Sequence, residues 1–264
     1  MKFSQRALRF ICHGSCLLGV VDVPERPLQR GLLILSSGQQ YRVGPHRQFT
    51  LLARTLAPRG LPVMRFDCRG MGDSEGLPGR FDALDDDIHA AIKEFFRQIP
   101  GMTEVVLLGL DDAATAATLY AHTDARVSAL ILLNPRLRPA SGVGHGKEAA
   151  HARSGELGFW RRIAGGQRDL LKTPDAARHH QRNDAQDAAL PLEQRFMAGL
   201  HCFDGRTLAI LSGADPYANS FAELLERDGY GARRVTIADA DHHFASRSWR
   251  DQVAETSANW IMSW

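Results

Sequence analysis

The sequence predicts an α/β protein built on a mostly parallel, doubly wound sheet, with an N-terminal hairpin and a helical cap insert. Two apolar runs joined by His13-Gly14-Ser15 supply the hairpin. Short continuous apolar runs then alternate with stripes of helical spacing, as strands covered on both faces by helices require. Between residues 136 and 204 the alternation stops, and Arg, His, Gln and Ala take over. With 264 residues, 44% of them hydrophobic, the chain can bury one large core and still carry an insert.

The hairpin covers residues 7–12 and 16–23, and Pro24 and Pro27 end it. Residues 31–35 form the next strand, which stops at Ser36-Ser37-Gly38. Phe49, Leu52, Ala53 and Leu56 carry helical spacing that Arg59-Gly60 closes. A strand over residues 62–66 leads into a Gly-rich loop, 67–79, and then a helix from about 84 to 98 whose stripe is Ile88, Ala91, Ile92 and Phe95. Residues 104–110 and 113–121 repeat the strand and helix, and 127–133 is again a strand. The insert keeps only scattered apolar anchors, among them Phe159, Trp160 and Phe196. Strands return at 208–211 and 233–237, before a last helix over about 249–264. The expected organisation is a core of residues 1–135 and 205–264 around a cap of residues 136–204.

Charge narrows the range of partners. Lys and Arg (32) nearly balance Asp and Glu (30), so no strong field favours nucleic acid or anionic lipid, and a small-molecule substrate fits better. Four scattered cysteines do not make a disulfide framework, and Cys12-His13 with Cys16 lacks the second pair that a zinc site needs. No metal or other cofactor is therefore expected. The apolar N-terminal stretch is broken by His13-Gly14-Ser15 before a signal core could form, and no run of about 18 apolar residues follows. A cytoplasmic location is the expectation, and oligomeric state is not legible.

Three polar positions stand just past strand ends, where ligands meet parallel sheets. Gly109-Leu110-Asp111-Asp112-Ala113 has small residues two before and two after Asp111, as a tight strand-to-helix elbow requires. Centring the turn on Asp112 would put Leu110 and Ala114 at those positions, which is worse sterically. Either aspartate could instead cap the helix and complement its dipole. Asp215-Pro216 follows the strand at 208–211 and is also an ordinary turn. His242 and His243 follow the last strand, where paired histidines are commonly solvated. The order of nucleophile, acid and histidine, each behind its own strand, is what joins them into one site.

Asp67-Cys68-Arg69-Gly70-Met71-Gly72-Asp73-Ser74 looks like the Asp-x-Arg-Gly-x-Gly-x-Ser loop of α/β-hydrolases. More narrowly, residues 40–49 (Gln-Tyr-Arg-Val-Gly-Pro-His-Arg-Gln-Phe), residues 67–76 and Ala240-Asp241-His242 resemble the exosortase A system-associated hydrolases of family 1. The resemblance implies the α/β-hydrolase fold and a hydrolase encoded beside exopolysaccharide and protein-sorting machinery. It also implies a nucleophile at position 111, within a family motif Gly-Leu-Cys-Asp-Ala-Ala, where this chain has Asp111 in place of Cys. His242 is preferred over His243 because it matches the His-x-Phe pattern of the resemblance.

A carboxylate attacking a carbonyl would give a mixed anhydride, a poorer intermediate than an acyl-thiol or acyl-serine ester. Saturated carbon suits it better. The resemblance to haloalkane dehalogenases and epoxide hydrolases, which use Asp at this place, implies an alkyl ester that a His-activated water hydrolyses. The expected site is thus Asp111 as nucleophile, His242 as base and Asp215 as orienter, with the backbone N–H groups of Gln39 and Asp112 meeting an oxyanion or positioning the carboxylate. The enzyme class is hydrolase, of esterase or thioesterase type, or of epoxide hydrolase or dehalogenase type if Asp111 acts directly. Tyr41 and Arg42 are candidate substrate contacts, Arg42 having bracing of the 67–74 loop as its other role. Loss of the family's cysteine leaves a second reading open: a catalytically impaired protein that kept the fold for binding.

Overall fold

The computed structural model describes residues 2–36, 41–137 and 190–264. By backbone contacts the chain divides into two compact units, Met1–Leu137 with Arg195–Trp264, and Arg138–Gln194. Most of the expected cap, including Phe159 and Trp160, lies outside the described residues.

Eight strands form one sheet: β1 (Phe3–Cys12), β2 (Ser15–Pro24), β3 (Arg30–Leu35), β4 (Val63–Phe66), β5 (Glu104–Leu110), β6 (Val127–Leu133), β7 (Arg206–Ser212) and β8 (Arg233–Ile237). Their spatial order is β1-β2-β4-β3-β5-β6-β7-β8. β1 pairs antiparallel with β2, and β2 antiparallel with β4, while every pairing from β4 to β8 is parallel. The hairpin, the alternation and the position of every strand read from the sequence are all present. After β4 the chain returns past β3 to lay down β5, so the order reverses between β3 and β5, the switch point at whose carboxyl ends open parallel sheets bind ligands.

The apolar runs are continuous because each strand serves two cores. Leu33, Leu35, Leu107, Leu130, Leu132 and Leu211 enter the core on one face, and Leu32, Ile34, Val106, Leu108, Ile131, Leu133 and Ile210 enter the other. Successive side chains point to opposite faces, so a doubly covered strand cannot alternate with polar residues. Helices α2 (Asp85–Gln98), α3 (Asp112–Ala121), α4 (Leu192–Cys202) and α5 (Pro216–Asp228) cover the first face. Helices α1 (Gln48–Leu56) and α6 (Arg247–Ile261) cover the second. Phe196 and Leu200 of α4 are fully buried in the first core, so this part of the expected insert packs as core. Among the described residues no helix is long and apolar enough to cross a membrane.

Candidate active site

Asp111, Asn134, Asp215 and His242 all lie just beyond the carboxyl ends of the four adjacent parallel strands β5 to β8. All belong to the first unit. Parallel strands in this order deliver the loops to one rim, which is why residues over a hundred positions apart meet.

The turn after β5 is an elbow. Asp111 has φ 61° and ψ −125°, a left-handed conformation that costs a non-glycine residue energy. Its backbone is tied down on both sides: its N–H donates to Leu133 O at 2.9 Å, and its carbonyl accepts from Ala114 N at 3.1 Å to start α3. A Cβ on Gly109 would stand 2.4 Å from the Ala113 carbonyl, so the small residue two before the aspartate is a steric necessity. Although Asp111 occupies the N-cap position of α3, its side chain makes no capping hydrogen bond. Capping therefore does not account for this carboxylate.

His242 stands between two carboxylates. Its Nδ1 is 2.6 Å from Asp215 Oδ2, and its Nε2 is 3.7 Å from Asp111 Oδ2. The first is a hydrogen bond; the second is an ion-pair distance, and Nε2 has no hydrogen-bond partner. With Nδ1 turned to a carboxylate, the neutral ring carries its proton there and leaves Nε2 as the acceptor facing Asp111. His243 does not compete for this place. Its backbone N–H is held by Asp241 Oδ1 at 3.0 Å, and its ring meets the edge of His242 at 4.8 Å.

Asp215 bonds both the turn and the imidazole, because its two oxygens point to different partners. Oδ1 accepts from Tyr217 N at 3.1 Å as the N-cap of α5, with Pro216 in the first turn, while Oδ2 holds His242. Burial opposes ionisation of Asp215, yet the hydrogen bonds and charge of His242 and the backbone N–H groups of Tyr217 and Ala218 outweigh it and hold the carboxyl below its ordinary value. Burial likewise opposes protonation of His242. Asp111 and Asp215 together overcome it and push the imidazole up to about 9. The two acids thus favour the protonated ring over the neutral one. Asp112, crowded by burial and by the Asp111 charge, is pushed up to about 6. Its backbone N–H sits in the first turn of α3, where helix geometry leaves donors without intrahelical partners.

Three residues of this rim were not singled out from the sequence. Asn134 and Ser212, both fully buried, clamp the histidine loop: Asn134 Nδ2 donates to Ser212 Oγ at 2.6 Å and to the His242 carbonyl at 2.7 Å, and Asn134 Oδ1 accepts from Ser212 N at 2.9 Å. Ser212 Oγ donates in turn to the Asp241 carbonyl at 2.7 Å. Arg136 brings its Nε to 3.0 Å from Asp111 Oδ1, and its guanidinium lies over the Tyr217 ring at 5.3 Å. A polar residue straight after a continuous apolar run, as in Leu132-Leu133-Asn134 and Ile210-Leu211-Ser212, is the signal that could have pointed to the clamp.

The other expected residues lie elsewhere or outside view. Gln39 is not among the described residues. Arg42 donates from its backbone N–H to Asp67 Oδ1 at 2.6 Å, and its guanidinium pairs with Asp67 and, at 2.8 Å, with Asp73. That is the bracing role. Ser74 closes the same loop on the Asp67 carbonyl at 2.6 Å, and a Cβ on Gly72 would meet the Asp67 carboxylate at 2.4 Å, so this Gly-rich segment is built around one buried acid. Tyr41 is exposed, and neither it nor Arg42 bonds to Asp111, Asp215 or His242. Among the described residues there is no cluster that could hold a metal ion.

Comparison with known proteins agrees with this fold. Solved structures with the same fold include a dienelactone hydrolase from Anabaena variabilis (16% identity, 100% of this chain and 99% of that one, TM-score 0.66). Est1E from Butyrivibrio proteoclasticus, determined with ferulic acid bound, aligns at 19% identity over 97% and 98% of the chains with a TM-score of 0.65. A Pyrococcus furiosus esterase aligns at 13% identity over 99% and 93%, with a TM-score of 0.68. No curated protein matches the sequence. Residues 31–256 match the Alpha/beta hydrolase family, and the chain belongs to that family.

Proposed function

We propose that this protein is a hydrolase of small molecules in which Asp111 attacks a saturated carbon, His242 activates water and Asp215 fixes the imidazole. The observation that carries the proposal is the free Nε2 of His242, aimed at Asp111 from 3.7 Å while Nδ1 is locked to Asp215. An electrophile R–X would lose X as an oxygen of Asp111 bonds to carbon, leaving an alkyl ester. Alkylation removes one of the two negative charges that hold the imidazolium proton. The basicity of His242 then falls, the proton leaves, and the ring becomes a neutral base when a base is needed. Water gives a proton to Nε2 and attacks Cγ of Asp111, and the ester breaks to R–OH and the free carboxylate.

The esterases of similar fold favour acyl substrates, but a carboxylate at the elbow disfavours them because the acyl intermediate would be an anhydride. Haloalkane-like and epoxide-like substrates are the better match. Linkage to an exosortase A and exopolysaccharide system rests on the sequence resemblance. The test is incubation of His242→Ala protein with haloalkanes, epoxides and acyl esters, followed by intact mass and peptide mapping. A stranded adduct on Asp111 supports the mechanism; turnover of none of the panel by wild type, with no adduct, rejects it.

The ion pair between Arg136 and Asp111 Oδ1 favours a second reading, a non-catalytic member whose carboxylate serves only in binding. Asp111→Cys separates the two. If that variant alone cleaves esters, the native aspartate is a loss of the nucleophile.

A further inference from the structure

Arg136 is a charged group at the rim that the proposed hydrolysis does not use. It follows Asn134-Pro135 at the end of β6, and its carbonyl is pinned by Thr115 Oγ1 at 3.1 Å. Its guanidinium is poorly matched to its neighbours. Nε lies 3.0 Å from Asp111 Oδ1, yet the angle does not make a hydrogen bond, and both atoms are buried without a hydrogen-bond partner. The remaining contact is the face of Tyr217. A guanidinium offers five N–H donors in a planar fork shaped for a carboxylate, and the one oxygen recorded beside it among the described residues, Asp111 Oδ1, makes no hydrogen bond to it.

We propose that Arg136 is the substrate-binding group for a carboxylate, and that the substrates are small organic acids with the reactive carbon next to that carboxylate. This rests on the reading of Asp111 as nucleophile. With the fork 3.0 Å from an Asp111 oxygen, an acid held on Arg136 keeps its carboxylate one bond from the carbon that Asp111 attacks. The Tyr217 ring, its centroid 5.3 Å from the guanidinium carbon, takes up a face of the group rather than its N–H donors. Charge favours the step. Arg136 and protonated His242 balance Asp111 and Asp215 before substrate enters, and esterification of Asp111 removes the negative charge that would repel the bound acid. For an acid X–CHR–COO⁻, the C–X bond breaks as the Asp111 oxygen bonds to carbon, X⁻ leaves, and hydrolysis of the ester returns HO–CHR–COO⁻ and a proton.

Binding of unreactive propionate and propionamide, followed by calorimetry on wild type, Arg136→Gln and Asp111→Asn, tests the site without requiring turnover. Wild type should prefer propionate by at least about tenfold, the size of one charge-assisted fork contact. Arg136→Gln should abolish the preference, and Asp111→Asn should tighten propionate several-fold because the competing anion is gone. Equal propionate binding by wild type and Arg136→Gln, or no propionate binding by Asp111→Asn, overturns the proposal. The nucleophile is judged separately with 2-chloropropionate and 1-chloropropane on the His242→Ala background. Propionate binding that depends on Arg136, with no adduct from either compound, keeps the subsite and rejects the nucleophile. Alkylation of Asp111 by 1-chloropropane as fast as by 2-chloropropionate, unslowed by Arg136→Gln, keeps the nucleophile and rejects the subsite.

Discussion

The turns after β5 and β7 both present an aspartate at the start of a helix, and they treat it in opposite ways. Asp215 has an extended backbone, caps α5 with one oxygen and holds His242 with the other. Asp111 sits in a strained left-handed conformation, caps nothing and meets His242 only at 3.7 Å. One carboxylate is hydrogen-bonded through both oxygens, and the other is paired by charge, with Arg136 Nε 3.0 Å from its Oδ1, without a hydrogen bond to that oxygen. The difference is one of bonding: Asp215 is held by directed hydrogen bonds, whereas Asp111 faces its two cationic neighbours, Arg136 and His242, across ion-pair distances with no hydrogen bond between them, and so keeps lone pairs uncommitted.

The comparison breaks most visibly at Asp111. Asp111→Asn should lower turnover on the order of 10⁴-fold or more while leaving the melting temperature within a few degrees of wild type, as kinetics and thermal melts will show. A loss of folding equal to the loss of activity would mean that Asp111 is structural after all. Asp215→Ala should damage both properties. Turnover should fall roughly 10² to 10⁴-fold as the imidazole loses its orienter, and stability should fall by about 1 kcal/mol or more as α5 loses its cap. An Asp215 variant that keeps stability would erase the contrast.

Asn134→Ala sharpens the comparison by acting on the histidine loop without touching either acid. It leaves buried Ser212 and the His242 carbonyl short of partners, so a loss of about 1–3 kcal/mol is expected in denaturant unfolding, together with a smaller fall in turnover. The last comparison is made with pH. The His242 value rises from an ordinary 6.5 to about 9 in the folded chain, so its contribution to stability is complete below pH 6.5 and lost as pH climbs through about 9. Thermal melts should decline across that window in wild type and decline less in Asp111→Asn. An unchanged slope would mean that Asp215 alone holds the proton.

Strand positions, the parallel class and the tight turn at Asp111 were legible because they are local. Period-two burial on two faces writes itself as unbroken apolar runs, and Gly109 announces an elbow because the Ala113 carbonyl passes 2.4 Å from where its Cβ would stand. Arg42 shows the limit. From the chain it is either a substrate contact or a brace for the 67–74 loop, and only the fold reveals that Asp67 and Asp73 already occupy it.

The amino-acid order alone determined a doubly covered sheet and which loops would reach its carboxyl rim, since both follow from side-chain periodicity and from parallel crossovers. Tertiary structure alone decided that Asn134 grips a loop 108 residues away and that Arg136 sits beside Asp111. These are pairings between charges and hydrogen-bonding groups whose partners are remote along the chain, and no local pattern encodes which remote partner a polar side chain will find.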